Sequence, residues 1–265
     1  MNLCSIASGS SGNCTFVGSE HTKLLVDAGI SGSRIESGLK SIDVCPDEIQ
    51  GVLITHEHSD HIMGLGVIAR RYHIPIYGTA ETIHAILKMR NIGRIAGELF
   101  RYVRPDEVFR INDITVEPFS ISHDAANPVC YTFCAGGHKI GMATDLGKYD
   151  DYIISKLEDS EVLLLEANHD VNMLMVGTYP YYLKQRILGD RGHLSNENSA
   201  KLIGRLINGK LRHITLAHLS KENNFEELAY ETVRVELNQY MEDRVSGELL
   251  SVAKRELASE MLSTT

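Results

Sequence analysis

A chain of 265 residues, 43% apolar and 23% charged, has the composition to bury a large core, which argues against a disordered or fibrous protein. Its formal charge of -9 disfavours nucleic-acid binding driven by the overall field, and no apolar run is long enough to span a bilayer. Five cysteines (Cys4, Cys14, Cys45, Cys130 and Cys134) with no CxxC pair argue against a disulfide framework, and an N-terminus without a basic residue before Lys23 lacks a secretory flank, so the expected compartment is cytoplasmic.

Short β-type runs come first, at 2–7, 14–18, 23–29 and 51–55, with an amphipathic helix at 31–41 between them. The near-continuous apolar character of 51–55 predicts a strand buried on both faces. A helix is predicted over 62–73, a strand over 74–78, and a helix over 79–90 capped by Thr79. Strands around 99–103, 108–111, 114–121, 129–135 and 138–143 are spaced for an antiparallel meander. Alternation then resumes: helix near 149–158, strand at 162–167, helix near 180–188, helix near 195–207 opened by Ser195 or Asn196, strand at 213–219 and helix near 224–241. The stretch 246–262 fits either an edge strand or a helix. No repeat or linker divides the chain, so residues 1–265 are expected to form a single domain of two mixed sheets under outer helices.

The segment "ITHEHSDH", residues 54–61, sets three histidines, an aspartate and a glutamate directly after the buried strand. Polar ligands this dense are costly to bury unless something binds them. Imidazole and carboxylate donors together suit zinc, manganese or iron rather than calcium or magnesium. The spacing splits into two sets, with His56 and His58 reaching one ion while Asp60 and His61 turn to a second. Further ligands are offered at the ends of later strands by His123, Asp145 and His218. A lone strand-end histidine is ordinarily a hydrogen-bonded polar residue, and the first cluster is what reverses that expectation.

These motifs, in this order, resemble the metallo-β-lactamase-fold superfamily from about residue 5 to 220. The resemblance implies a four-layer αββα sandwich in which His56, His58 and His123 hold one ion, Asp60, His61 and His218 the other, and Asp145 bridges them. Asp145 stands where many true β-lactamases carry cysteine, which argues against antibiotic hydrolysis. The Asp145–His218 interval leaves no room for the inserted domain of the β-CASP nucleases, and no Gly/Pro-rich arm of the ribonuclease Z kind is evident.

"ASGSSGNC", "LITHEHSDH", "SHDAANPVCYTF", "ATDLG", "LLLEANHD", "GHLSNENSA" and "LAHLSKENN" resemble the bacterial YycJ/WalJ family across most of the chain. That resemblance implies a 5′-to-3′ DNA exonuclease preferring 5′-phosphorylated ends, acting through a hydroxide between two divalent ions, zinc or manganese with iron as a further option. Under it, Asp60 orients the attacking hydroxide, His193 contacts the phosphate or protonates the leaving oxygen, and His169 is the second choice for that role. Helix-cap or core roles serve both histidines as well. "SGSSGN" at 8–13 is either a tight turn or a phosphate nest offering Ser10, Ser11 and Asn13. The stretch 184–212, with seven basic residues against two acidic, would supply the charge for tracking a nucleic-acid backbone that the whole chain lacks, although such a helix face is commonly just solvated. His21, His73, His84, His138 and His213 are read as structural or surface residues.

Three other readings remain open at this level: a hydrolase of a small phosphodiester or thioester, a ribonuclease-Z-like RNase, and a regulatory protein that keeps the fold without turnover. The complete set of seven ligands weighs against the last.

Overall fold

Alternation along the strands decides how the layers stack. The computed structural model describes residues 1–207, 209–241 and 249–264. In β3 (Lys23–Val26), Leu24 and Val26 point to one apolar cluster and Leu25 to another; in β11 (Val162–Glu166), Val162 and Leu164 part from Leu163 and Leu165 in the same way. Successive side chains on a strand face opposite sides, so strands apolar throughout must be covered on both.

One sheet has the order β14 (Leu262–Ser263), β1 (Asn2–Ala7), β2 (Cys14–Gly18), β3, β4 (Gly51–Leu53), β5 (Ile76–Thr79), β6 (Phe100–Val103). The other has the order β13 (Leu250–Val252), β12 (His213–Ala217), β11, β10 (His138–Ala143), β9 (Val129–Ala135), β8 (Ile114–Ser120), β7 (Phe109–Ile111). Leu24, Val26 and Leu53 meet Val116, Tyr131, Phe133 and Leu164 between the sheets. Ile35 and Leu39 of α1 (Gly32–Ser41), Ile68 of α3 (Leu65–Tyr72) and Ile83 of α4 (Ala80–Leu87) cover the first sheet. Ile153 of α5 (Asp151–Leu157), Leu202 and Ile203 of α8 (Asn196–Leu206) and Val233 of α9 (Glu226–Met241) cover the second. The expected αββα sandwich is therefore the observed one. Thr79 and Ser195 cap their helices by accepting from Thr82 N and Asn198 N.

Three details differ from the sequence expectation, and the open choice at 246–262 falls to the edge strand. β6 is not part of the meander: it pairs parallel to β5, and only β7–β10 run antiparallel in the second sheet. A strand pattern reports the faces of a strand and not its partner. The helix expected at 62–73 is two, α2 (Ser59–Ile62) and α3, parted where Gly64 N donates to Ala28 O at 2.7 Å. A short helix, α6 (Val171–Val176), precedes α7 (Tyr181–Leu188), Asp170 capping it through Met173 N. The stretch 246–262 contributes strand β13, ending at the start of β14, while 242–248 lie outside the described residues. Arg255 ties this segment back by donating to Leu219 O and Ser220 O.

Candidate metal centre

One rim of the sandwich gathers the polar residues. Asp27 follows β3, residues 56–61 follow β4, His123 follows β8, Asp145 follows β10, Glu166 ends β11 and His218 follows β12. Carboxyl ends of strands are where an α/β sheet presents a site, since the loops that leave them converge there. Asp27, Asp145 and His218 all have left-handed backbone, at φ +61°, +58° and +56°. Conformations of this kind cost about 1–3 kcal/mol each and persist where the surroundings hold them.

The motif loop divides because α2 begins inside it. His58 is the N-cap, so His56 and His58 stay in the loop while Asp60 and His61 turn away on the helix. The helix docks on 27–29: Ala28 N donates to His61 O at 2.8 Å, Asn13 N to Asp60 O at 2.8 Å, and a Cβ on Gly29 would stand 1.6 Å from Asp60 O. Only glycine permits that approach.

The ligand-type atoms form overlapping groups within 4.8 Å, among them His56, His58 and His123 on one side and Asp60, His61 and His218 on the other. His58 Nδ1 lies 3.4 Å from His123 Nε2, and Asp60 Oδ2 lies 3.5 Å from His61 Nε2 and 3.6 Å from His218 Nε2. Asp145 sits between the sets, its Oδ1 3.6 Å from His123 Nε2 and 3.5 Å from His218 Nε2. All seven expected ligands are thus brought together.

Behind them stand two buried carboxylates that the sequence reading did not single out. Asp27 accepts from Thr55 N and Thr55 Oγ1, each at 2.9 Å, and lies 2.8 Å from His61 Nδ1. Glu166, with no solvent exposure, accepts from Asp145 N, Leu146 N and Leu194 N and lies 2.8 Å from both His193 Nδ1 and His218 Nδ1. With both oxygens saturated, Glu166 braces ligands rather than serving as one. Its visible signal is an acid ending an apolar strand, "VLLLE", and for Asp27 an acid ending "KLLVD". Glu57 also joins two loops, accepting from Ala126 N at 2.8 Å.

Burial pushes the Glu166 carboxyl up, but His193 and His218 outweigh it and hold it well below the usual carboxylate range. Asp60 is likewise held low by His218 and His61 against its burial. Burial and then the imidazoles of His61, His123 and His58 push His56 well below the usual histidine range, favouring the neutral form that binds a cation. His61 and His218 go the other way: burial lowers them, but Asp145 together with Asp27 or Asp60 and Glu166 raises them, His218 to about 10.

His56 Nε2, Asp145 Oδ2 and His218 Nε2 are buried with no aligned hydrogen bond. Buried polar atoms are nearly always satisfied, so three unpaired donor atoms turned toward one centre fit a bound divalent cation, and their nitrogen and oxygen character fits a transition metal or zinc.

The cleft above this centre has a volume of about 200 Å³ and is walled by Ser10, His58, Asp60, Asp145, Asn168, Tyr179, Leu183, Arg186, Ile187, His193, His218 and Ser220. His193 therefore borders the centre, Nδ1 toward Glu166. His169 does not line the cleft: it is 1% exposed, its ring nitrogens have no protein partner, and burial pushes it down to about 4. In the 8–13 loop, Gly12 N donates to Gly9 O at 3.0 Å and the Asn13 amide bonds both Gly9 N and Gly9 O and reaches His61 Nε2, so Asn13 holds a turn. Ser10 faces the cleft; Ser11 is exposed and does not line it. Arg186 is the member of the basic stretch 184–212 that reaches the cleft, whereas nothing in the local pattern of Tyr179 or Asn168 marks them.

A Beta-lactamase superfamily domain matches residues 22–218. The chain is 41% identical over 242 residues to an exodeoxyribonuclease YycJ of Bacillus anthracis, covering 91% of this chain and 89% of that one. It is 42% identical over 234 residues to an exodeoxyribonuclease WalJ of Streptococcus pneumoniae serotype 2, covering 88% and 87%. Among solved structures, Zn(2+)-bound PqqB from Methylobacterium extorquens shares the fold at a TM-score of 0.74 and 16% identity, over 98% of this chain and 100% of that one.

Proposed function

The chain belongs to the metallo-β-lactamase superfamily and, within it, to the family of the YycJ and WalJ exodeoxyribonucleases, and from that premise we propose that it is a 5′-to-3′ DNA exonuclease using two divalent ions on 5′-phosphorylated ends. The coarser statement, a metal-dependent hydrolase of the nuclease kind, follows from the membership. The observation that supports the two-ion, phosphodiester part of this reading is the meeting of seven ligand residues, with buried donors lacking partners among the described residues, beneath a cleft of about 200 Å³; polarity and the preference for a 5′-phosphate rest on the family resemblance. Sites that enclose a small organic ligand begin at roughly 300 Å³, so this cleft suits one phosphodiester of a longer molecule.

His56, His58 and His123 would hold the first ion, Asp60, His61 and His218 the second, with Asp145 between. Bound there, zinc, manganese or iron supplies a water ionised near neutral pH and positive charge against the phosphate oxygens. Asp60, kept ionised by His61 and His218, accepts a hydrogen bond from the attacking water and aims it. His193 gives Nδ1–H to Glu166; as the imidazolium it would carry its second proton on Nε2, pass that proton to the leaving oxygen and end as the neutral Nδ1–H ring. His169, which burial keeps as the neutral imidazole at neutral pH, serves poorly as that acid. Ser10 is the contact for an incoming phosphate. DNA is then the partner and the cytoplasm the place of action.

The test is degradation of duplex DNA with a labelled 5′-phosphate, compared with 5′-hydroxyl DNA and with RNA, after metals are stripped and zinc or manganese restored. Progressive loss of the phosphorylated DNA, abolished in Asp60→Ala, is expected. Survival of both nucleic acids with every metal, while a simple phosphodiester or thioester is cleaved, would refute it.

A further inference from the structure

The cleft encloses too little of a nucleic acid to hold it, so the strand must find its grip on the rim. One rim is built unusually. Between α6 and α7 the chain reads "VGTYPYYLKQR", and it leaves large apolar side chains in water: Val176 is 86% exposed, Tyr181 72% and Tyr182 75%. The segment is nevertheless held firmly, since Lys184 Nζ donates to Met175 O and Gly177 O at 2.7 Å and so locks the end of α6 to α7.

Position around α7 separates these residues. Leu183, Arg186 and Ile187 wall the cleft, and Tyr179 walls it just before the helix begins. At about 100° per residue, Tyr182 lies within about 40° of Arg186, one turn nearer the helix start, whereas Tyr181 falls on the opposite side from Leu183. Arg186 is bound to Asp124, Nε at 2.5 Å and Nη2 at 3.1 Å, yet half its side chain is exposed. A guanidinium has five N–H donors, so donors remain for a phosphate.

We propose that this lip is a strand guide, in which Tyr182 stacks on a base of single-stranded DNA while Arg186 holds the adjoining phosphate and Tyr179 lines the way to the metal centre. The inference rests on the nuclease reading above. What favours a DNA strand is continuity with the cleft and the pairing of an aromatic face with a cation one turn away. That is the combination by which proteins bind single strands without regard to sequence. Tyr182 is a positioning residue and does not touch the reacting atoms.

The experiment measures KM for a 5′-phosphorylated single strand, normal or with abasic sites at its first positions, in wild type, Tyr182→Ala, Tyr182→Phe and Tyr181→Ala. An aromatic stack makes the expected rise in KM roughly tenfold for Tyr182→Ala, with recovery in Tyr182→Phe and no change in Tyr181→Ala. On the abasic strand, the wild-type KM should rise to the level of Tyr182→Ala. A Tyr182→Ala KM within twofold of wild type overturns the inference and leaves the nuclease reading standing, as does an equal effect of Tyr181→Ala. Sedimentation of the same variants tests a second copy as occupant, and a dimer lost in Tyr182→Ala with KM unchanged also overturns it. Wild type inactive on every DNA but active on a small ester removes the nuclease reading first and the guide with it.

Discussion

Asp27 and Glu166 do the same task for the two sheets and differ in reach. Asp27 backs one imidazole, His61, and one residue of the motif strand, Thr55. Glu166 backs two imidazoles, His193 and His218, together with three backbone amides from two segments, Asp145 and Leu146 in one and Leu194 in the other. Topology accounts for the contrast. β11 has parallel neighbours on both sides, so the ends of β10 and β12 both arrive beside Glu166; β3 has β4 parallel but β2 antiparallel, so only one neighbour ends beside Asp27. A carboxylate at the end of a central parallel strand can therefore join three loops, and that is what fixes the second half of the centre.

The sharpest way to break the comparison is Glu166→Gln, whose amide cannot accept from all five donors. Losing the orientation of His218 costs ~10-fold and of His193 ~10²-fold, so turnover of DNA should drop ~10³-fold. A loss no greater than that of Asp27→Asn would show that the wider reach is irrelevant to function. His193→Gln should come next, lowering kcat ~10²-fold with metal content unchanged: His193 lies in one ligand-type group with Asp145, Glu166 and His218, but its Nδ1 is taken up by Glu166 at 2.8 Å. Metal analysis of the purified variant checks the second half of that statement.

Asp27→Asn should be milder, ~10-fold in activity, with weaker uptake of the second ion, the one that His61 would hold with Asp60 and His218. Titration of the chelated protein with zinc, read as two separate affinities, decides it. The smallest expected effect is on pH dependence. His218 is raised from 6.5 to about 10: burial works against this, and Asp145, Asp60 and Glu166 prevail. In chelated protein this favours folding fully below pH 6.5, and the benefit is lost as pH rises toward about 10. The melting temperature of chelated protein should fall over that range; Glu166→Gln should flatten the fall through His218, and Asp27→Asn through His61, which Asp145 and Asp27 likewise hold raised.

Much of the centre was legible because ligand chemistry is dense in one place. Residues 54–61 announce a metal site by composition, and His123, Asp145 and His218 follow strands whose apolar runs are unmistakable. Asp27 and Glu166 hold the same geometry but fall, in the sequence, inside the strand runs 23–29 and 162–167. A single acid after an apolar run looks the same whether it meets water, a lysine or two imidazoles. Tyr179 and Asn168 fall further from view, since each reaches the cleft through the fold and not through a spacing; of the basic stretch, the sequence shows the charge but not that Arg186 is the residue at the cleft.

What the sequence determined alone was the alternation of faces, and with it the layers, the strands and the residue types that would bind a cation, because each of these depends on a residue and its near neighbours. Only the tertiary structure decided which strand lies beside which. It moved β6 out of the meander and set Glu166 between the ends of β10 and β12. Strand pairing is a contact between segments far apart in the chain, and hydrogen bonds between backbones carry no record of the side chains that brought them together.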